Sequence, residues 1–426
     1  MRIALSSMQW IIFLLTSTIV APLSIGYAYG MPPDVTASLI QRSLFIIGVT
    51  SILQVLFGHR LPIIEGPASV WWGIFLIYAN LIVTLQDAYT IWQQLSFGLL
   101  ISGVIFILLG VFRLTSYLMH LFTPLVTGIY MILLVGQLSG PFIKGMLGIG
   151  YFDDFIHIKI TMVSILILLL SYIFSRSHVG WLSRYSVLIS LIIGWATFKL
   201  LNLTKPLNIK AKDIPYIPEI FPFGVPQFDM GVLLTVIIST FLLLTNILAA
   251  IKAVNSVTGE KVTERYDQAN IVMGVNQSLA GLFSTVGSIP LSATAGFIIA
   301  TRMKEKLPFI IGSAVLIVLS SFPVLMVFFA SIPAPVGYAT IFLSIANLGA
   351  VGLSQFLNVK MSMDKLVIFG LSLMLGFGAM LIPTEALTQL PVSIRTVANN
   401  GLIIGVVACI VLEQWTKKTE RQTKTM

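Results

Sequence analysis

The chain has 426 residues, 57% of them hydrophobic and 10% charged, and its mean hydropathy is +0.97. A water-facing surface needs far more charge, so a soluble fold is excluded and a polytopic protein of the inner or plasma membrane is implied. Net charge is +9, but most of the basic residues sit in short loops between apolar runs, where they report orientation rather than a nucleic-acid partner.

Runs of about the 20 residues that cross a hydrocarbon core of ~30 Å as a helix fall at 8–26, 35–57, 68–84, 93–112, 117–138, 159–175, 184–201, 231–252, 267–286, 290–302, 308–330, 334–354, 363–383 and 395–414. The predicted fold is therefore an all-α polytopic membrane protein of fourteen segments. The first run has the outline of a secretory signal, but Gln9, Pro22 and the even count favour a true span.

Segments 68–84 and 290–302 are short, and Gly/Pro-rich backbone precedes each: Gly66-Pro67-Ala68-Ser69 in one, Gly287-Ser288-Ile289-Pro290 in the other. They are the third of the first seven segments and the third of the second seven. An odd number of spans per half gives halves of opposite orientation, the signature of an inverted repeat that holds substrate between matching broken segments. The expected organisation is a first repeat over 1–201, an extracellular linker over 202–230, a second repeat over 231–414 and a cytoplasmic tail over 415–426. The linker contains five prolines and reads as extended; residues from Gln414 onward read as an unstructured basic tail at the headgroups of the lipid bilayer.

With the N-terminus inside, only eight of the 25 Lys and Arg fall outside: Arg42, Lys144, Lys159, Lys199, Lys205, Lys210, Lys212 and Arg395. The other seventeen, Lys252 among them, are assigned to cytoplasmic loops, which puts both termini in the cytoplasm of a multi-pass cell-membrane protein. Glu65, Asp87, Asp364, Glu385 and Glu413 are all placed near an interface as solvated charges, and Arg42 is expected to snorkel outward.

Neutral polar residues are better placed in the predicted spans: Gln9, Gln54, Asn80, Thr245, Asn246, Gln268, Asn270, Asn276 and Gln277. Taken singly such residues tie helices together; as a set beside two broken segments they suit an uncharged, amide-like substrate. Extended backbone at the midplane would add free N–H and C=O groups, and Ser69, Val70, Ala295 and Gly296 are the positions assigned there. Cys409 has no partner within the chain, and His59, His120, His157 and His178 lack ligand spacing, so no disulfide, metal or other cofactor is expected.

Several motifs resemble the nucleobase–ascorbate transporter family, which includes uracil and xanthine permeases. They are Met8-Gln9-Trp10 with Val20-Ala21-Pro22, Gly58-His-Arg-Leu-Pro-Ile-Ile-Glu-Gly-Pro67, Phe122-Thr-Pro-Leu-Val-Thr-Gly128, Pro222-Phe-Gly-Val-Pro-Gln-Phe-Asp229, Asn276-Gln-Ser-Leu-Ala-Gly-Leu-Phe283 and the stretch ending at Pro290. The resemblance implies two inverted halves of seven, with short β-strands in segments three and ten. Segments 1–4 and 8–11 would form a core domain and segments 5–7 and 12–14 a gate domain. It also implies a secondary active permease, not an enzyme: proton-coupled uptake of a purine- or uracil-like base by an elevator-like movement, often as a homodimer.

The chain departs from that pattern at the site. The family's base-binding Glu on segment eight falls on Thr245 and a following His on Ala249; on segment ten its polar pair falls on Gly296 and Phe297, or on Ala293 and Thr294 in the other alignment. The expected substrate-binding set is Ser69, Val70, Thr245, Asn246, Ala295, Gly296 and Phe297. The alternatives are an anion carrier of sulfate-permease type, which would want a cation at the site where none is evident, and a binding or regulatory protein without flux.

Overall fold

The computed structural model describes the chain apart from residues 1, 80–84, 116–122, 180–181, 184–185, 205–216, 260–264, 358, 360, 384–385, 387–397, 399–400 and 425–426. The predicted polar residue Asn80 and the acidic Glu385 lie outside the described residues. In chain order the elements are α1 (Arg2–Thr18), α2 (Val20–Ala28), α3 (Pro33–Leu56), β1 (Glu65–Pro67), α4 (Ser69–Ala79), α5 (Leu85–Val111), α6 (Pro124–Met146), α7 (Ile158–Ser175) and α8 (Ser186–Leu200). They continue with α9 (Met230–Thr258), α10 (Tyr266–Leu282), β2 (Ser288–Pro290), α11 (Ala293–Thr301), α12 (Lys306–Ser320), α13 (Pro323–Ala330), α14 (Ala334–Leu357), α15 (Met363–Met380) and α16 (Gly401–Lys424).

Among the described residues eight helical runs are long and apolar enough to cross a membrane, or nine if α12 and α13, bent by 88° at Ser321–Phe322, count as one span. The protein is thus a mostly helical, multi-pass membrane protein. A count of fourteen depends on including α4, α8, α10, α11 and α16, which are shorter or more polar. The bends follow proline, which cannot donate to the carbonyl four residues back. Pro22 lies just past the break between α1 and α2, and Pro323 opens α13.

The two strands occur where the Gly/Pro-rich stretches predict a break. They pair antiparallel in the register Glu65–Pro290, Gly66–Ile289 and Pro67–Ser288. Their flanks also bond: Ala68 N–H donates to the Gly287 carbonyl at 2.9 Å and Leu291 N–H to the Ile64 carbonyl at 2.9 Å. Burial makes this pairing obligatory, because backbone polar groups at membrane depth find no water. The consequence corrects the expectation of free backbone at the break: much of it is spent on the partner strand.

Helices pack in two sets. The first joins α5 to α10 and α9, α3 to α12, α13, α10 and α2, α1 to α12, and α9 to α11; the second joins α14 to α6, α7 and α8, and α15 and α16 to each other and to α6. Between the sets α2 meets α14 and α4 meets α6. Trp72 Nε1–H donates to Ser24 Oγ at 2.8 Å, and Tyr338 O–H donates to the Ser24 carbonyl at 3.3 Å, so Ser24 bridges α4 and α14.

Four sequence expectations are corrected by this packing. Arg42 does not snorkel: it is 1% exposed, donates to Ser38 Oγ at 2.7 Å and sits 5.1 Å over the Phe223 ring. That ring stacks on Trp92 and is held because the Phe223 carbonyl accepts from Gln93 Nε2, so the described part of the supposed extended linker, from Ile217 on, is docked on α5 and α10. Glu413 is buried and accepts from Thr123 Oγ1 at 2.6 Å rather than facing solvent. The tail is not unstructured from Gln414, since α16 continues to Lys424.

Candidate functional site

A cavity of ≈ 540 Å³ lies where the crossed strands meet the second helix set. From the first set it is lined by Ser69 at the start of α4, by Asn246, Leu248, Ala249 and Lys252 of α9, by Ile289 and Pro290 of β2, and by Leu291 and Ser292 before α11. Pro124, Thr127 and Met131 of α6 and Val351 and Gln355 of α14 close the opposite wall. Volume and a mostly apolar wall with a few polar groups are those of a small-molecule site, which typically spans ~300–1,000 Å³.

The local sequence explains this convergence. Proline and glycine in β1 and β2 end one direction of chain, and a helix starts at once, so the N-termini of α4 and α11 begin at the cavity edge. The first N–H groups of each helix have no intrahelical acceptor and carry partial positive charge. Asn246 and Lys252 stand six residues apart on α9, and Ala249 between them fills the same stripe with only a methyl. None of the side chains of Asn246, Lys252 or Gln355 is engaged by a hydrogen bond or ion pair among the described residues. Donors and acceptors on both walls are therefore available to a ligand, and among the described residues no carboxylate lines the cavity.

The predicted residues divide. Ser69 and Asn246 line the cavity. Thr245 lies in α9, its side chain outside the described residues. Val70, 1% exposed, packs into the core, and Ala295 is buried one helical turn past the cavity residues. Gly296 lies within α11 and has open space where a Cβ would stand, but it is not a cavity residue. Phe297 is a core aromatic, with ring centroids 4.4 Å from Phe13 and 4.5 Å from Trp10. Ala295 and Gly296, assigned to extended backbone, are helical; the extension lies at 288–290 instead.

Lys252, Ser292 and Gln355 escaped sequence reasoning. Lys252 was assigned to a cytoplasmic loop because α9 ends later than hydropathy suggests, at a left-handed Gly259 cap. The signal that could have found it is its spacing of six from Asn246. The polar residues on α10 and nearby are mostly spent inside the protein: Gln54 Nε2 donates to the Ala269 carbonyl at 3.1 Å, Asn270 Nδ2 to Thr115 Oγ1 at 2.8 Å and Gln277 Nε2 to the Ser288 carbonyl at 2.7 Å. Gln277 thereby braces β2, while Gln54 and Asn270 fasten α10 to its neighbours.

The fold, with its two broken segments and the cavity beside them, is shared by solved transporters. The transmembrane domain of a cyanobacterial bicarbonate transporter, BicA, is similar with a TM-score of 0.62 at 14% identity, covering 96% of this chain and 98% of that one. The murine anion transporter Slc26a9 is similar with a TM-score of 0.68 at 12% identity, covering 98% and 68%.

The family is set by sequence. The Xan_ur_permease model, described as the permease family, matches residues 1–385. The putative purine permease YwdJ of Bacillus subtilis is 36% identical over 97% of this chain and 96% of its own length, and the xanthine permease of that organism is 23% identical over 95% and 90%. The chain belongs to this permease family, whose members are transporters and not enzymes.

Proposed function

We propose that the protein is a secondary active permease for a purine base, held in the cavity between β2, α4, α9, α6 and α14 and taken up with a proton. The observation that carries this is the cavity itself: Ser69, Asn246, Lys252, Ser292 and Gln355 offer donors and acceptors from opposite walls around an apolar middle. A planar heterocycle with oxo and N–H edges would be read by the two amides, which both donate and accept. The two relatives named above are described as a putative purine permease and a xanthine permease, which favours a purine over uracil.

Lys252 further favours oxidised purines, which release a proton readily and present an anionic edge. The same cation would suit the alternative of an inorganic anion carrier, and the fold is shared with such carriers; family membership and the 36% identical relative weigh for the purine. Flux rather than binding alone is supported by a cavity whose walls come from both helix sets. In this reading the set built on α1–α5 and α9–α13, a core, slides as a unit past the set built on α6–α8 and α14–α16, a gate, with both termini cytoplasmic and two inverted repeats of seven segments. Elevator movement needs a stationary partner, and a homodimer joined through the gate would supply one.

Uptake of labelled xanthine, uric acid, guanine, hypoxanthine and uracil into cells lacking their own permeases tests the reading. Saturable accumulation of at least one purine is expected. No accumulation above an empty-vector control for any of them would overturn it.

A further inference from the structure

The Glu that the family resemblance implies on segment eight and the polar pair it implies on segment ten are absent, yet a carboxyl group is enclosed beside the cavity at Glu65. Glu65 and His59 are both fully buried, with His59 Nε2 3.5 Å from Glu65 Oε1. This overturns the expectation of a solvated end-cap charge at Glu65. The stretch Gly58 to Pro67 folds inward: Gly58 N–H bonds the Gln54 carbonyl, Glu65 N–H bonds Ser51 Oγ, and β1 then pairs with β2.

His59 Nδ1 accepts the backbone N–H of Leu61 at 3.0 Å, so the ring proton resides on Nε2, the nitrogen nearer the carboxyl group, at 3.5 Å from Oε1 and without a well-aligned hydrogen bond to it. A second ring proton would oppose Leu61 N–H. The imidazole is therefore a neutral donor, and Glu65 is the group of the pair that can gain or lose a proton.

Among the described residues no charged side chain on the surrounding elements offsets Glu65. Those packed against β1 are α1, α3 and β2. α1 carries only Arg2, at its far end, and β2 carries none. In α3, Asp34 is in the first turn and Arg42 lies under Phe223, nine residues or roughly 13 Å from Ser51. On α10, Asn276 lies beside Glu65 without a well-aligned hydrogen bond, while Tyr266 and Asp267 stand more than two turns away, the latter accepting from Thr115. Arg60, next to His59 in sequence, is exposed.

Ionising Glu65 thus adds an uncompensated buried charge, which makes its proton count sensitive to how β1 sits on β2. Glu65 is in register with Pro290, and Ile64 both accepts from Leu291 N–H and donates to Thr294 Oγ1. Pro290 and Leu291 line the cavity. A ligand that displaces them changes the surroundings of the carboxyl group directly.

We propose that Glu65 is the proton-binding group of this permease, that His59 is its positioning donor, and that proton and purine are linked through the β1–β2 pair. This rests on the proton-coupled reading above. By reciprocity, protonation must alter purine affinity by the factor by which purine alters proton affinity.

The test uses the full chain in proteoliposomes with labelled xanthine and a trapped pH dye. Wild type is expected to concentrate xanthine down an inward proton gradient and to acidify the lumen as it does so. Glu65→Gln, with a fixed proton count, is expected to lose at least about tenfold of gradient-driven accumulation and all the dye signal, while xanthine-for-xanthine exchange falls by less than about threefold. His59→Gln, which keeps a donor at the Nε2 position, should stay coupled with a shifted pH midpoint.

A readout independent of flux is the infrared difference spectrum on xanthine addition. A protonated-carboxyl band should change in wild type and be missing in Glu65→Gln protein that remains monodisperse. Coupled wild type with equally coupled Glu65→Gln overturns the assignment of Glu65 alone. Xanthine transport by wild type with no response to pH overturns proton coupling and this assignment together, leaving the purine reading intact.

Discussion

Gly287→Ala should damage the site from a position that touches no ligand. A Cβ at Gly287 would meet Trp71 Cδ1, stand 2.6 Å from Trp71 Nε1 and 2.5 Å from Gln277 Oε1, whereas ordinary contact begins at 3.4 Å. Both neighbours must therefore retreat, the Gln277 oxygen by roughly 0.9 Å and the indole by about as much, and both are fully buried. If the indole moves, it pulls the first turn of α4, with Ser69 two residues away; if the amide turns, the 2.7 Å bond to the Ser288 carbonyl is lost. Overpacking costs about 1–3 kcal/mol and a lost buried hydrogen bond about 1 kcal/mol, so a destabilisation of about 2–4 kcal/mol is expected.

The assay is the thermal unfolding midpoint of detergent-purified protein, read beside xanthine uptake. Gly296→Ala is the control, because open space surrounds its Cβ position and the residue is helical. It should be neutral or slightly stabilising, by at most about 1 kcal/mol. An unchanged midpoint and uptake for Gly287→Ala, with loss in Gly296→Ala, would refute the packing described at β2.

Two further substitutions separate ligand contacts from scaffold. Lys252→Ala should weaken uptake competition by xanthine and uric acid about tenfold relative to neutral hypoxanthine, the size of one charge-assisted hydrogen bond; equal effects on all three would remove Lys252 from recognition. Phe297→Ala should cost about 3–5 kcal/mol of stability, as for a buried aromatic, measured by unfolding midpoint. Any purine still transported should keep its half-saturating concentration within about threefold, since Phe297 packs on Phe13 and Trp10 and not on the cavity.

Much of this was legible in the sequence. Gly66-Pro67 and Gly287 to Pro290 announce broken backbone in apolar surroundings, and the crossed strands fall there because proline and glycine oppose a continuous helix while burial demands pairing. Ser69 could be picked because it follows one of those breaks, and Asn246 because it is a neutral polar residue inside a predicted span. Glu65 and Glu413 were misread because hydropathy places a charge at the edge of an apolar run, and Arg42 because a long cation inside a span is expected to reach the interface; only tertiary folding shows whether such a group meets water or turns inward.

Assigning Ala295 and Gly296 to extended backbone erred by one helical turn, since sequence gives no sharp signal for where α11 begins after Pro290. Lys252 was missed because the membrane span and the helix were taken to end together, and α9 outlasts the apolar run. The opposite wall, with Thr127 and Gln355, depends on how α6 and α14 pack, which no local pattern encodes.

The most direct measurement is protection of the cavity by substrate. In a Cys409→Ser background, Ser292→Cys and Gln355→Cys place one thiol on each wall, and their rates of modification by a small water-soluble reagent are followed with rising xanthine. Both rates should fall saturably with the same half-maximal concentration, which should match that for uptake. Undiminished labelling at both positions while xanthine is being transported would show that the purine binds elsewhere.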